Sequence, residues 1–296
     1  MKIGANLSVK DEVELIEQVI HHLRAIGVDL IIACDLGSSD GTYEIMERYR
    51  SDDDFWLFRL TLEEHDQFDA DWIRANTALA KSAGMDWVLV LDADEFWIPR
   101  EGSLKALPLL DEFDVLSVER FNVPLGVNGP MMPSRLVPEC YEELLVIAKP
   151  VEDPRAHLWR NPSDAWIRMR VVPKVMFRPE RILSLGIGGH DVFPCDLRPL
   201  RRTQPSDLVI IHLPFTTQMR FARKIDNIRR ALGLGDNADD DYDGPAWHWV
   251  RWAVMAQQGR INEEFEASTF SESVMADCRT EGTIRSVAEL FRERSA

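Results

Sequence analysis

The chain has 296 residues, 45% of them hydrophobic and nine of them Trp, enough for the core of one large domain or of a domain with an appendage. Its 34 Lys and Arg stand against 50 Asp and Glu, a formal net charge of -16. That balance excludes a general nucleic-acid or anionic-membrane binder, which needs surplus cations, but not a nucleotide held through a metal.

Lys2 to Val9 reads as a first strand, followed by a helix from Asp11 or Glu12 with Val13, Ile16, Ile20 and Leu23 as its apolar stripe and Gly27 as its stop. A buried strand over Leu30 to Cys34 breaks into Asp35-Leu36-Gly37-Ser38-Ser39-Asp40-Gly41-Thr42, which is turn chemistry throughout. A short helix (Tyr43 to Tyr49), a third strand (Phe55 to Leu60) and a helix from Asp71 to Ala83 follow. That last helix is expected to turn Trp72, Ala75, Leu79 and Ala83 inward. Trp87-Val88-Leu89-Val90-Leu91 is a fourth strand, apolar without interruption, as strands covered on both faces are. The alternation predicts a mostly parallel sheet flanked by helices, an α/β fold with right-handed crossovers.

Val115 to Glu119 is a further strand, and the Pro-rich stretch from Arg120 to about Asp164 contains one segment, Glu142 to Ala148, that fits helix or strand equally. Ile167 to Val172 and Lys174 to Phe177 alternate as strands do. Leu208 to Ile211 is a last apolar strand ending in His212-Leu213-Pro214. Thr216 or Thr217 caps an amphipathic helix with Phe221, Ile225, Ile228 and Leu232 on its apolar face. An acidic loop (Asp236 to Asp243), a segment with Trp247, Trp249 and Trp252, and a polar helical tail complete the chain. The division this suggests is 1–214 for the catalytic α/β domain and 215–296 for a helical extension. Cys34, Cys140, Cys195 and Cys278 form no C-x-x-C pair and read as free buried thiols in a reducing compartment. With no signal-peptide core and no run of transmembrane length, a soluble cytoplasmic protein is expected, with peripheral membrane contact left open.

The fourth strand runs into Asp92-Ala93-Asp94-Glu95, three carboxylates within four positions. On an extended chain Asp92 and Asp94 share one side and Glu95 takes the other. Carboxyl ends of parallel strands are where open α/β sheets hold ligands, and two carboxylates there need a cation between them. Oxygen ligands on a strand end suit Mg²⁺ or Mn²⁺. Asp35 and Asp40 flank the turn after the second strand, in the same crevice. The plainer readings are a solvated acidic junction for Asp92-Ala93-Asp94 and a helix-start turn for Asp40-Gly41.

Val9-Lys10-Asp11-Glu12, the Asp35 to Thr42 turn and Leu91-Asp92-Ala93-Asp94-Glu95-Phe96 together resemble family 2-type glycosyltransferases of the GT-A fold. The match is to the bacterial branch with a Lys-Asn-Glu start and an Asp-x-Asp-Glu-Phe metal site, with Asp11 where that branch has Asn. The resemblance implies an inverting transfer from a nucleotide-diphosphate sugar to a saccharide or lipid-linked acceptor. It implies that Asp35 holds the base or ribose and Asp40 the nucleoside region, with Asp92 near the ribose, while Lys10, Glu12, Ser38 and Ala93 are further donor-binding residues and the turn's amides and hydroxyls approach the phosphates. Asp94, Asp92 and His212 ligate the divalent ion in that reading, and Lys224, with Arg220 and Arg223, faces the diphosphate. Arg74 and Asn76 lie on the helix before the metal strand, within reach of the donor. For the general base, Gly186-Ile187-Gly188-Gly189-His190-Asp191 offers Asp191 first and His190 in reserve, with Glu119 third; a simple glycine turn is the alternative. Two rivals stand: a sugar-phosphate nucleotidyltransferase, which wants a Gly- and Arg-bearing loop after the first strand, and a non-catalytic saccharide-binding protein on the same fold.

Other features carry less. Asp239 to Gly244 imitates an EF-hand start but has Val250 at the twelfth position, and Gly233-Leu234-Gly235 lacks the rest of a dinucleotide fingerprint. His21-His22 reads as surface, and the C-terminal tryptophans as core packing or a sugar-stacking platform.

Overall fold

A computed structural model describes residues 1–60, 74–231 and 247–294. Strands β1 (Ile3–Val9), β2 (Leu30–Asp35) and β3 (Phe55–Arg59) alternate with helices α1 (Ile16–Ala25) and α2 (Thr42–Glu47). A further helix, α3, covers 74–82 and leads to β4 (Trp87–Asp92). After β5 (Glu95–Pro99) come β6 (Val115–Val118), β7 (Arg120–Asn122), β8 (Lys174–Phe177), β9 (Arg202–Thr203) and β10 (Leu208–His212). The main sheet has seven strands in the order β9-β6-β8-β4-β1-β2-β3. Strands β3, β2, β1 and β4 are mutually parallel, β9 is parallel to β6, and only β8 runs against its neighbours. The mixed α/β class expected from the sequence is therefore the fold adopted.

Side-chain alternation explains the uninterrupted apolar runs. Ile31 and Ala33 of β2 join Ile16, Ile20 and Leu23 of α1 in one core, whereas Leu30, Ile32 and Cys34 join Ala80 of α3 in another. Both faces of β2 are covered, so its run from Leu30 to Cys34 is apolar at every position. A smaller sheet, β5-β10-β7, lies beside the first. The last apolar strand thus belongs to this second layer, with His212 level with Glu95 on one side and Asn122 on the other.

Helix α4 (Gln218–Ala231) follows β10, and Thr217 caps it by accepting from the Arg220 amide at 3.1 Å. Phe221, Ile225 and Ile228 pack with Trp252 in a third core, where the C-terminal helices α5 (Trp247–Gln257), α6 (Ile261–Ser268) and α7 (Glu272–Thr280) meet Leu158, Trp166, Ile167 and Met169 of the preceding segment. A final strand, Ile284–Ser286, pairs with Leu145–Ile147, so the segment that fitted helix or strand equally is a strand.

Several expectations are corrected. Helix α1 begins four residues beyond Glu12, because Asp11 is left-handed (φ 54°) and the amides of Asp11 and Glu12 donate to Ser38 Oγ and Thr42 Oγ1 instead of opening a helix. On α3 the inward face is Asn76, Thr77 and Ala80 while Ala75 is exposed; the expected start of this helix, including Trp72, lies outside the described residues. Ile167 to Val172 is not a ladder strand: Trp166–Arg168 is a 3-10 turn, and the Ile167 and Met169 carbonyls accept from the Asn122 side chain. His22 is buried, its Nε2 2.8 Å from the Trp97 carbonyl, and Cys195 is exposed, although all four thiols are free as expected. Leu232, Gly233-Leu234-Gly235 and the Asp236 to Asp243 loop lie outside the described residues. No helix among the described residues is long and apolar enough to cross a membrane.

Candidate active site

Four strand ends and one helix meet at the carboxyl edge of the parallel sheet. β1 delivers Lys10, Asp11 and Glu12; β2 delivers Asp35 and its turn; β4 delivers Asp92 and Asp94; β10 delivers His212. The polar face of α4 lies across them. Arg220, Arg223, Lys224 and Asn227 recur at helical spacing, and all four reach carboxylates below, with Asp94 shared by Arg220 and Lys224. Arg220 meets Glu12 through two nitrogens, at 2.6 and 3.0 Å, and Asp94 at 3.2 Å. Arg223 holds Asp40 at 2.7 Å, Lys224 holds Asp94 at 2.5 Å, and the Asn227 amide donates to Asp11 at 2.7 Å.

Asp94 is the hub. It sits at the turn between β4 and β5 and is only 3% exposed. Burial alone would favour its neutral acid, but the charges of Lys224 first and of Arg220 outweigh that and hold the carboxyl well below the usual carboxylate range. Arg220 is likewise buried, and the attraction of Glu12 and Asp94 overrides its own desolvation to keep it charged.

The imidazole of His212 has a defined orientation. The Asn122 amide nitrogen donates to the carbonyls of Ile167 (2.8 Å) and Met169 (3.3 Å), which turns its oxygen toward His212 Nδ1 at 2.7 Å. Nδ1 therefore carries the proton, and the lone pair of Nε2 faces Asp94 Oδ2 at 3.6 Å. Burial lowers the His212 pKa despite the nearby carboxylate, so the ring is neutral. Two acceptors facing each other without a proton between them are a donor set that fits a divalent cation. Among the described residues no three His, Cys, Asp or Glu side chains converge as a complete cage, so remaining ligands would have to come from water and a bound anion.

The strand ends at Asp92 and the chain turns at Ala93-Asp94, so the extended geometry does not run through Asp94, although the two carboxylates still repel each other. Ala93 is buried in that turn. The Asp92 side chain is 55% exposed and pairs with Lys174 Nζ at 2.8 Å. Lys174 is 1% exposed and also lies 3.7 Å from Glu95, whose other oxygen is held by Arg120. Glu95 in turn accepts from the Asp92 amide at 3.0 Å. Sequence reasoning missed Lys174, Arg120 and Asn122; the signal for Lys174 was a lysine opening an otherwise apolar strand, and Asn122 offered none.

The remaining candidates are distributed around this centre. Asp35 is fully buried, accepting from the Ser38 amide and pairing with Arg59 at 3.1 Å. The ammonium of Lys10 donates to the Gly37 carbonyl and lies 3.8 Å from Asp11. Asp40 accepts from Thr42 and from the Val13 amide as well as from Arg223, which is the bonding of a helix-start turn. Asn76 is 1% exposed, and among the described residues neither end of its amide has a partner; Arg74 is exposed on the same helix. Asp191 is exposed and bound to Arg202 at 2.6 Å, and no contact among the described residues joins it to Asp94. His190 is half-buried, with Nδ1 2.8 Å from the Pro173 carbonyl. Burial, then Lys174 and Arg120, lower its pKa to about 4. Glu119 pairs with Arg170 at 2.8 Å and with Arg294.

The model of glycosyltransferase family 92 matches residues 5–243. No curated protein matches the chain in sequence. Among solved structures, S. aureus TarS 1–349 in complex with UDP has 15% identity and a TM-score of 0.41, over 90% of this chain and 71% of that one. Glucosyl-3-phosphoglycerate synthase from Mycobacterium tuberculosis, in complex with Mn²⁺, UDP and glucosyl-3-phosphoglycerate, has 14% identity and a TM-score of 0.33, over 87% of this chain and 80% of that one.

Proposed function

The chain belongs to glycosyltransferase family 92, and from that premise we propose that it transfers a sugar from a nucleoside-diphosphate donor to a saccharide or lipid-linked acceptor with inversion, using Mn²⁺ or Mg²⁺. The observation that carries this reading is the Asp94–His212 pair, two unprotonated acceptors facing each other at 3.6 Å beneath a row of cations. Asp94 and His212 would hold the metal, which when bound would supply positive charge to the departing diphosphate. In keeping with the family 2-type motifs, Asp35, Ser38 and Asp40 with Lys10 and Glu12 shape the nucleoside side, Asn76 and Arg74 line its flank, and Asp92 faces the ribose.

The physical case rests on charge. Breaking the glycosidic bond leaves the diphosphate with a charge it did not carry while esterified, and catalysis requires that charge to be stabilised more than the ground state is. Lys224 is the movable cation of the centre, since its side chain is 23% exposed whereas that of Arg220 is 2% exposed. It bonds Asp94 in the resting site and turns to the phosphates when they arrive. Arg220 stays in place, tied to Glu12 at two points, and fixes α4 over the strand ends.

The acceptor hydroxyl must lose a proton as it attacks the anomeric carbon. Asp191 is engaged by Arg202, with its carboxyl below its usual range despite partial burial. His190 donates Nδ1–H to Pro173, which leaves Nε2 unprotonated beside the Lys174–Asp92 pair. We therefore place the proton on His190 and leave Asp191 to hold the loop. The discriminating experiment is transfer by His190→Gln and Asp191→Asn: the first loses turnover with donor affinity kept, the second retains most of it. The reverse outcome moves the base to Asp191.

A further inference from the structure

Beyond the centre just described, one ring stands apart. Six histidines are described, and five have a hydrogen-bond partner: His21 with Tyr49, His22 with the Trp97 carbonyl, His157 with Asp164, His190 with the Pro173 carbonyl and His212 with Asn122. Among the described residues His248, in the first turn of α5, has none, although it is half-buried. A histidine in a finished core is bonded as His22 is; an unbonded imidazole at a site boundary is an open pair of one donor and one acceptor.

The ring is held in place with some care. Trp166 stacks on it, with centroids 5.1 Å apart and an interplanar angle of 21°, and Trp252 meets it edge-on at 5.5 Å. Trp166 also lies edge-on to His212 at 6.2 Å, which puts His248 one aromatic layer from the ring facing Asp94. The Trp166 backbone is anchored in turn: its amide donates to Glu264 at 2.7 Å, and the other Glu264 oxygen accepts from Arg251. Burial, followed by the positive field of Lys224 and the neighbouring basic groups, lowers the His248 pKa to about 3, so the ring is neutral. Trp166 and Trp252 are themselves buried, so they fix the ring, and its neutral donor–acceptor edge is the chemistry that hydrogen-bonds a sugar hydroxyl.

We infer that His248 contacts a hydroxyl of the sugar carried by the donor and helps to select which sugar is accepted. The inference rests on the glycosyltransferase reading above, because Lys224, whose charge His248 senses, is the group there assigned to the phosphate that bears the sugar. The family match ends at residue 243, short of His248, so this contact comes from the chain's own helical extension.

The test is calorimetric binding to the full chain with Mn²⁺, comparing UDP and GDP with UDP-glucose, UDP-galactose, UDP-N-acetylglucosamine and GDP-mannose. His248→Phe keeps a ring between the tryptophans but no nitrogen, and His248→Gln keeps a hydrogen-bonding edge without the ring. The expected result for His248→Phe is an unchanged diphosphate affinity with about a tenfold loss for the preferred sugar nucleotide, the size of one hydrogen bond to a desolvated partner. His248→Gln is expected to recover part of that loss. Equal weakening of diphosphate and sugar nucleotide, or no change in either, overturns the inference and leaves the glycosyltransferase reading intact. Absence of diphosphate binding in the parent chain overturns that reading, and this inference with it.

Discussion

At the scale of single residues, the site is a balance of buried charges. Asp94 and Glu12 are the anions, Arg220 and Lys224 the cations, and removing one member leaves another uncompensated. Arg220→Met is therefore expected to destabilise the chain by about 3–5 kcal/mol in chemical denaturation, as for other broken buried pairs; a loss under about 1 kcal/mol would show that water reaches the cluster. Asp94→Asn keeps the shape and removes the charge, with turnover expected to fall about a hundredfold or more. Buried histidines give the pH dependence. The His22 pKa is lowered to about 4 by burial, only partly offset by its bond to Trp97. Between pH 6.5 and 4 the unfolded chain takes up that proton and the folded chain does not, so stability falls as pH falls through this window. The full effect is ~3 kcal/mol. Urea titrations of the parent and of His22→Gln across that range should show a shallower slope in the variant.

Elements show what the sequence could and could not disclose. The parallel strands and their continuous apolar runs were legible because both faces of the sheet are covered, and the Thr217 cap followed from a hydroxyl ahead of a helical stripe. Thr217→Ala is expected to cost ~1 kcal/mol and to loosen α4, raising the donor KM through Lys224 and Arg220. Less was legible where side chains compete with backbone. Asp11 and Glu12 look like a helix start, yet their amides are taken by Ser38 and Thr42, a pairing 27 to 30 positions away that no local pattern contains. The alternation of Ile167, Met169 and Val171 points those side chains inward, but Asn122 claims the carbonyls a ladder would use. Glycine in the 186–191 loop was legible as freedom, and the reason lies in packing: at Gly189 (φ 68°) a Cβ would stand 2.7 Å from Val90 Cγ1. Gly189→Ala should lower stability by about 1–3 kcal/mol and displace His190, so that turnover falls more than donor affinity; equal activity would detach that loop from the reaction.

On the scale of the whole molecule, order along the chain and order in space differ. Motifs near residues 10, 35, 92 and 212 converge because the parallel strands end level with one another and the second sheet carries His212 against Glu95 and Asn122. The sequence located these strand ends. It did not reveal that α4 crosses over them, since which carboxylate each basic residue meets depends on how two layers pack. Nor did it reveal that the centre is walled by Trp166 and His248. A chain with net charge -16 thus gathers Lys224, Arg220 and Arg223 at one place, the positive patch to which the proposed function assigns an anionic donor. The most direct test is calorimetric binding of the preferred UDP- or GDP-sugar with Mn²⁺, with Mg²⁺ and with neither, in the parent chain and in Asp94→Asn. Binding that requires the cation and disappears in Asp94→Asn is the predicted result. Binding that ignores the cation and survives the substitution would contradict the account.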